Sequence, residues 1–339
     1  MKKLFYKLCV TLVIGPMCIY VSNIIYTKYF YKKDLELFDA KMLLQLDSLQ
    51  YNSDVLYFAE SSNGTAANSD TCLLSISQMM DTLSPLKINA IEHGAVHAKT
   101  FLHLIQNIKS DAKVKTIIVT LNSRSFGAPW INSKLETNIS QANVLYENKW
   151  PIYKRIKLIL NAYDNQSVQL RDLKLEKNWS NDFLNVSKEF PYKTVRQWDN
   201  AMANGTYLLP NGDWDLPKIT LACHYIKTYA FSIDTLNNPR IKDFDEIVTV
   251  AKQKNLKLIF HLLAENVQYA DSLVGKELHH IMQENKQLLM DRYSRKGAIV
   301  VNSFDLVNGK DFIDQDWTTE HYNQNGRWLL AKNVLKQIK

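Results

Sequence analysis

At 339 residues the chain is long enough for one large domain with insertions, or one domain with a small cap. A content of 46% hydrophobic and 22% charged residues is that of a globular protein and excludes a disordered one. The formal charge of +7 is mild for this length and the Lys and Arg residues form no dense block, so nucleic acid is excluded as a partner, while a surface near anionic lipid or an acidic polymer fits.

Lys2, Lys3 and Lys7 lead into an uncharged, mostly apolar stretch from Leu8 to Thr27. That is about the 20 residues a helix needs to cross a hydrocarbon core. Gly15-Pro16 can kink such a helix, which membranes tolerate, and Tyr20, Tyr26, Tyr29 and Tyr31 suit its interfaces. Lys28, Lys32 and Lys33 follow on the far side, so flanking charge does not set the direction. A long folded domain translocates largely regardless of such charges. No small-x-small cleavage site follows the stretch. The reading is an uncleaved signal-anchor with a cytoplasmic tip at 1–7, a span at 8–27 and an extracytoplasmic remainder; a cleaved signal peptide is the alternative. Over 28–53, Leu35, Phe38, Met42, Leu46 and Leu49 recur at helical spacing and predict an amphipathic stalk helix, packed on the domain or lying on the membrane.

A βα alternation then begins. Strands are expected at Val55 to Phe58, Lys87 to Ile91 and Thr116 to Leu121, with helices at Cys72 to Leu83 and His97 to Ile108. Thr116-Ile-Ile-Val-Thr-Leu121 is the continuous β-branched run of a strand buried on both faces. The alternation resumes with helices at Ile241 to Lys254, Lys276 to Arg295 and Gly326 to Ile338, and strands at Leu256 to Leu262 and Ala298 to Val301. Five strands separated by helices imply an α/β, doubly wound parallel sheet. Between about 131 and 215 the pattern breaks, and Trp150, Trp179, Trp198 and Trp214 are interleaved with polar residues and turn signals. This is expected to be an inserted cap over the sheet edge that contributes to a substrate groove, with exposed rings suited to stacking on sugars.

Cys9 and Cys18 lie in the apolar segment, leaving Cys72 and Cys223 for at most one disulfide. No Cys-x-x-Cys or His-x-x-x-His spacing points to a metal, and His93, His97, His279 and His280 read as helix-surface or pocket-rim residues.

Four positions carry the chemistry. Ser61 follows the first strand, in Phe58-Ala-Glu-Ser-Ser62. Gly94 follows the second, in Ile91-Glu-His-Gly-Ala95. Asn122 follows the third, in Thr120-Leu-Asn-Ser-Arg124. His321 follows the last, in Glu320-His-Tyr-Asn-Gln-Asn-Gly-Arg327. Open α/β sheets collect their active groups at the carboxyl ends of the strands, so a serine and histidine far apart in sequence can meet as nucleophile and base. Ser62 competes with Ser61 for the nucleophile's place.

In these positions the chain resembles the SGNH, or GDSL-type, hydrolase superfamily, whose name gives those four residue types in that order. The resemblance runs from about Asp54 to the end, with the insertion poorly matched. It is nearest to membrane-anchored members that act in cell-envelope acylation, similar to the teichoic acid D-alanine transfer protein and the partner proteins of polysaccharide O-acetyltransferases. The resemblance implies a flavodoxin-like SGNH fold over 54–339. It implies Ser61 as nucleophile and His321 as general base, since an imidazole titrates near neutrality. It also implies an oxyanion hole made by the Ser61 N–H, the Gly94 N–H and the Asn122 side chain.

Two departures stand out. Gly-Asp-Ser is replaced by Ala59-Glu60-Ser61, and the acid usually three residues before the histidine is replaced by Thr318. Asp316 is the expected acid, reaching round a loop; Glu320 would point away and Asp314 is more remote. The alternative is a Ser–His dyad oriented by a backbone carbonyl. Arg124 is expected to bind an anionic group on the substrate, or else to form an internal salt bridge, and Asn266 to line the pocket.

The function that follows is an extracytoplasmic, membrane-anchored acyltransferase or esterase. It would work on O-acyl groups, acetyl above all, of a cell-envelope polysaccharide through an acyl-serine, with no cofactor or metal. A multi-pass membrane acyltransferase is the partner the resemblance suggests. A non-catalytic domain that binds glycan or scaffolds an envelope assembly is the rival, favoured by the missing acid; a lipase-like enzyme is a weaker third.

Overall fold

Five short apolar runs become strands in the computed structural model of the protein: β1 (Val55–Ala59), β2 (Ile88–Glu92), β3 (Thr116–Leu121), β4 (Lys257–Leu262) and β5 (Ile299–Asn302). Every pairing between them is parallel, in the order β2-β1-β3-β4-β5. This is the flavodoxin-like doubly wound order, with its switch point between β1 and β3. Residues 2–164, 166–205 and 207–338 are described. Met1, at the start of the expected tip, and Lys339, at the end of the expected domain, lie outside them, as do Asn165 and Thr206.

The period of two along each strand divides the core. Leu56, Phe58, Ile117, Val119, Leu121, Phe260 and Leu262 face one layer, while Val55, Tyr57, Ala59, Ile118 and Ile259 face the other. The second layer is closed by helices α4 (Ile76–Leu83) and α15 (Gln324–Ile338), through Ile76, Met79, Met80, Leu330 and Val334. The first is closed by α5 (Ala98–Gln106), α12 (Pro239–Gln253) and α14 (Lys276–Arg295). With helices on both faces, the central strands β1, β3 and β4 are buried on both sides, which is why they read as apolar runs rather than alternations, while the edge strands β2 and β5 are only partly buried.

The N-terminal segment forms α1 (Lys2–Tyr29), which runs unbroken through Pro16 and is long and apolar enough to cross a bilayer. Residues 28–53 depart from the single stalk helix of the sequence reading. They form α2 (Tyr31–Leu37) and α3 (Met42–Asn52), separated at Asp39, whose φ of 53° interrupts the helix. Leu35, Met42, Leu43 and Leu46 are buried in the main core, so this segment packs on the domain.

The inserted region is helical: α6 (Ala128–Ile131), α7 (Leu135–Tyr146), α8 (Pro151–Ile159), α9 (Val168–Asn181), α10 (Val195–Ala203) and α11 (Leu216–Tyr229). Val144, Leu145, Trp198, Ile219 and Tyr229 join the main core, so the insertion thickens the domain rather than standing over it with a core of its own. His97 and Glu136 lie 2.6 Å apart, and Arg240 also donates to Glu136, which joins α5, α7 and α12. Trp198 is buried, and Trp179 packs beneath Arg196 and Lys227, so these rings serve packing rather than a sugar platform. Cys72 and Cys223 are both free thiols and form no disulfide. One short helix, α13 (Val267–Leu273), follows β4.

Candidate active site

Ser61 lies just beyond β1 in a tight turn, where its carbonyl accepts from the N–H of Gly64 at 3.2 Å, the N–H of Thr65 at 3.0 Å and the Thr65 hydroxyl at 2.8 Å. Asn63 fixes the turn by donating to Glu92 at 2.6 Å and accepting from the Ser77 N–H at 2.9 Å. The turn approaches the Glu92 side chain so closely that a Cβ at Gly64 would fall 2.6 Å from its carboxylate and displace it from Asn63.

The chain between β5 and α15 supplies the other two members. Phe312 and Tyr322 form an antiparallel bridge, and the Ile313 N–H donates to the His321 carbonyl at 2.9 Å. This neck folds the loop back on itself and sets Asp314 beside His321. His321 Nε2 lies 3.0 Å from Ser61 Oγ, and His321 Nδ1 lies 2.7 Å from Asp314 Oδ2, which also accepts from the Thr319 hydroxyl. With Nδ1–H donating to Asp314, Nε2 is left as acceptor for the serine proton. All three side chains are partly exposed, so a substrate has access to them.

The acid position therefore corrects the sequence reading. Asp316 is exposed on the outer turn of the loop, and among the described residues no hydrogen bond joins it to His321. The paired neck makes residues seven apart into neighbours, whereas a spacing of five leaves the carboxylate outside. Thr318, at the customary acid position, instead gives its carbonyl to Arg124. Ser62 is buried and its hydroxyl has no partner among the described residues, leaving Ser61 as the serine on the histidine.

Behind the triad lies a buried polar cluster. Asn122, at the end of β3, donates its amide to Glu60 Oε2 at 3.0 Å and accepts from the Arg124 N–H at 3.1 Å. Arg124 pairs with Glu320 at 2.7 Å and its guanidinium lies 4.9 Å from the centre of the Trp130 ring. Tyr229 donates to Glu265 at 2.6 Å. Burial, reinforced by the charge of Glu320, raises the Glu60 carboxyl to about 8. Burial and then Glu320 push Glu265 well above the usual carboxylate range. Glu320 is also raised by burial, but Arg124, its hydrogen-bonded partner, opposes this most strongly. We take Glu320 as the ionised member, since it alone holds a direct guanidinium contact.

Several expected site residues take other places. Arg124 is 8% exposed and engaged inside the chain, which corrects its assignment to substrate binding. Asn266 caps α13 by accepting from the Tyr269 N–H at 3.3 Å, and it borders a shallow cavity lined by neither Ser61 nor His321. Gly94 is exposed one residue past His93, whose N–H donates to the Ala59 carbonyl at 3.3 Å, so it lies on the same sheet edge as Ser61. A Cβ there would meet nothing within 4 Å, so no neighbour in the chain requires glycine.

Sequence reasoning passed over Glu265 and Trp317. Glu265 follows β4 and could have been found by the strand-end rule that found the others. Trp317 sits on the loop between Asp314 and His321, 49% exposed, its ring centre 4.1 Å from that of His224.

No described family matches the sequence, and no curated protein does. Among solved structures, the chain is similar to a candidate platelet activating factor from Streptococcus pneumonia, at 11% identity and a TM-score of 0.41, covering 94% of this chain and 99% of that one. A lipolytic protein of the G-D-S-L family from Veillonella parvula is similar at 10% identity and a TM-score of 0.36, covering 83% and 96%. A lipase/acylhydrolase from Enterococcus faecalis is similar at 7% identity and a TM-score of 0.35, covering 84% and 94%. Likeness at this level assigns neither family nor activity, and the chemistry of the site rests on its own geometry.

Proposed function

We infer that the protein is a serine acyltransferase or esterase of the SGNH type, held at the membrane by α1 with its domain on the extracytoplasmic side. It acts on O-acyl groups, acetyl above all, of a cell-envelope polysaccharide. The observation that carries this reading is the Ser61–His321–Asp314 relay, whose three members come from opposite ends of the chain. The rival scaffold reading drew on the lack of an acid behind the histidine, and Asp314 occupies that place.

In the proposed reaction, Ser61 Oγ attacks the ester carbonyl carbon as His321 Nε2 takes its proton. The oxyanion is met by the N–H groups of Ser61 and Gly94, neither of which donates to another group among the described residues, and by the side-chain amide of Asn122, which in the resting site lies against Glu60 and Glu320. Collapse of this intermediate breaks the bond to the leaving alkoxide, which receives the proton from His321 and leaves acyl-Ser61. An acceptor hydroxyl then gives its proton to His321 and attacks the acyl-enzyme, restoring the serine. A sugar hydroxyl makes the protein a transferase, and water makes it an esterase. The exposed ring of Trp317 on the histidine loop supports a glycan acceptor, because sugar faces stack on such rings. A multi-pass membrane acyltransferase is the proposed source of acyl groups.

The test uses the full chain in detergent with 4-nitrophenyl acetate, read by intact-mass spectrometry. One acetyl on the wild type and none on Ser61→Ala is the expected result. Folded wild type with neither adduct nor nitrophenol release would overturn the catalytic reading in favour of the scaffold.

A further inference from the structure

The short helix α8 carries an apolar face that nothing in the chain covers. Trp150 at its start is 55% exposed, Tyr153 46%, Ile156 44%, Ile159 67% and Leu160 69%. Tyr153, Ile156 and Leu160, at three- and four-residue spacing, share one side, Trp150 and Ile159 border its two edges, and Lys154 and Leu158 turn inward. A contiguous patch of large apolar side chains on an otherwise polar surface marks a place of contact.

The position of this face says what it contacts. Asn23 of α1 caps α8 by accepting from the Ile152 N–H at 3.0 Å. Arg155 pairs at 3.1 Å with Asp34, which also accepts from Tyr26 of α1 at 2.6 Å. Lys154 donates to the Tyr31 hydroxyl at 2.9 Å. The helix is thus fastened beside the last two turns of α1. The apolar stretch of α1, Tyr6–Tyr29, has 24 residues. At about 1.5 Å per residue it is about 36 Å long, against a hydrocarbon core of about 30 Å. That leaves about 6 Å beyond the core, so the last turn of α1 reaches the headgroups and α8, joined to the chain between Asn23 and Asp34, falls at the boundary between acyl chains and headgroups.

We propose that α8 is an interfacial helix, lying in the headgroup layer of the bilayer that α1 spans and seating Trp150, Tyr153, Ile156, Ile159 and Leu160 at the acyl boundary. The composition suits that layer. Trp and Tyr are the residues enriched there, and long basic side chains extend past apolar surface to the phosphates. Lys149 reaches over the Tyr153 ring at 5.4 Å. Lys149 and Lys157 both lie near Glu147, at 3.7 and 2.8 Å, so neutralisation within the protein is partial and acidic lipid is tolerated rather than required. The consequence for function is orientation: a domain held by α1 alone swivels, whereas one held at α1 and α8 presents one side to the membrane. The proposal rests on the reading of α1 as a membrane span.

The test separates the two. Single cysteines at Val13, Ile156, Ile159 and Leu83 are placed in the full chain after replacing Cys9, Cys18, Cys72 and Cys223 with serine, and labelled with an NBD fluorophore. All four sites are exposed, so the label disturbs no core. The chains are reconstituted into vesicles of phosphatidylcholine and phosphatidylglycerol with and without doxyl-labelled lipid. The proposal expects blue-shifted emission at 156 and 159, quenched several-fold more strongly than at Leu83, which sits on the opposite face of the sheet, with quenching at 156 and 159 strongest for shallow doxyl positions. Quenching at Val13 with water-like emission at 156 and 159 would overturn the interfacial helix and leave the anchor standing. Absence of quenching at Val13 would overturn the anchor and this proposal together. A blue shift at 156 and 159 without lipid quenching would assign the face to a protein partner or a second copy, and so also overturn it.

Discussion

Arg327 and Asp70 lock together the two loops that bring Ser61 to His321. The guanidinium is fully buried and donates to Asp70 Oδ2 at 2.9 Å and to the carbonyls of Thr65, Cys72, Leu74 and Tyr322, at 3.0, 2.6, 3.0 and 2.8 Å. Gln324 completes the fastening, because its N–H donates to Asp70 and its side-chain oxygen accepts from Thr71 and Cys72. The nucleophile's loop and the histidine's loop therefore form one hydrogen-bonded unit, although neither Arg327 nor Asp70 belongs to the triad.

Removing the guanidinium leaves the Asp70 carboxylate without its counter-charge, held only by the N–H groups of Ala67 and Gln324, and takes the donor from several carbonyls. Breaking a buried ion pair typically costs about 3–5 kcal/mol. Arg327→Met should unfold at much lower urea concentration than the wild type. Asp70→Asn keeps the shape and should fold, with a smaller loss of stability and slower acylation as the loops loosen. Unfolding curves and acetylation rates on both variants check this. Wild-type stability in Arg327→Met would show that the fastening is incidental.

The acid can be identified by a paired substitution. Asp314→Asn keeps the hydrogen-bonding shape but favours the wrong tautomer of His321, and such a change costs up to about 10⁴ in rate in a serine triad. Asp316→Asn alters only an exposed side chain and should acylate at the wild-type rate. The two rates with 4-nitrophenyl acetate decide between them, and an inverted order would restore Asp316.

The contrast between these aspartates shows where sequence was sufficient and where it was not. The strands were legible because burial on both faces demands runs such as Ile117-Ile-Val119, and Thr116–Leu121 and Lys276–Arg295 form with the expected bounds. The placement of Ser61, Asn122 and His321 at one edge was legible because a parallel sheet delivers its strand ends there. Asp314 was not, since its place depends on the long-range bridge between Phe312 and Tyr322, for which spacing gives no sign. Arg124 misled for a related reason: a basic residue near a site looks like a ligand-binding group until its burial against Glu320 is known.

Asn122 offers a further test of the oxyanion hole. Its amide lies against Glu60 and Glu320 in the resting site and is the proposed donor to the developing charge. Deleting one such donor commonly lowers the rate about 10²–10³-fold. Asn122→Ala should lower kcat by that order with little change in KM, because the interaction strengthens only as the oxyanion forms. A rise in KM at unchanged kcat would instead mean that Asn122 binds the ground state.

Glu60 gives the domain a pH dependence of definite sign. Its carboxyl rises from an ordinary 4.5 to about 8 in the folded chain because it is buried near Glu320. Between those values the folded state holds a proton that the unfolded state has released, so folding stability falls as pH increases through that window. Glu265 is displaced in the same direction and adds to the fall. Thermal unfolding should therefore show a lower midpoint at pH 8.5 than at pH 6. Glu60→Gln keeps an oxygen that can accept from Asn122 and has no charge to bury. It should retain acylation and flatten the fall, with its stability gain over the wild type largest at the alkaline end. Equal slopes for Glu60→Gln and wild type would show that Glu60 is ionised throughout, held so by Asn122 and by Arg124, whose charge then reaches past Glu320 to a second carboxylate.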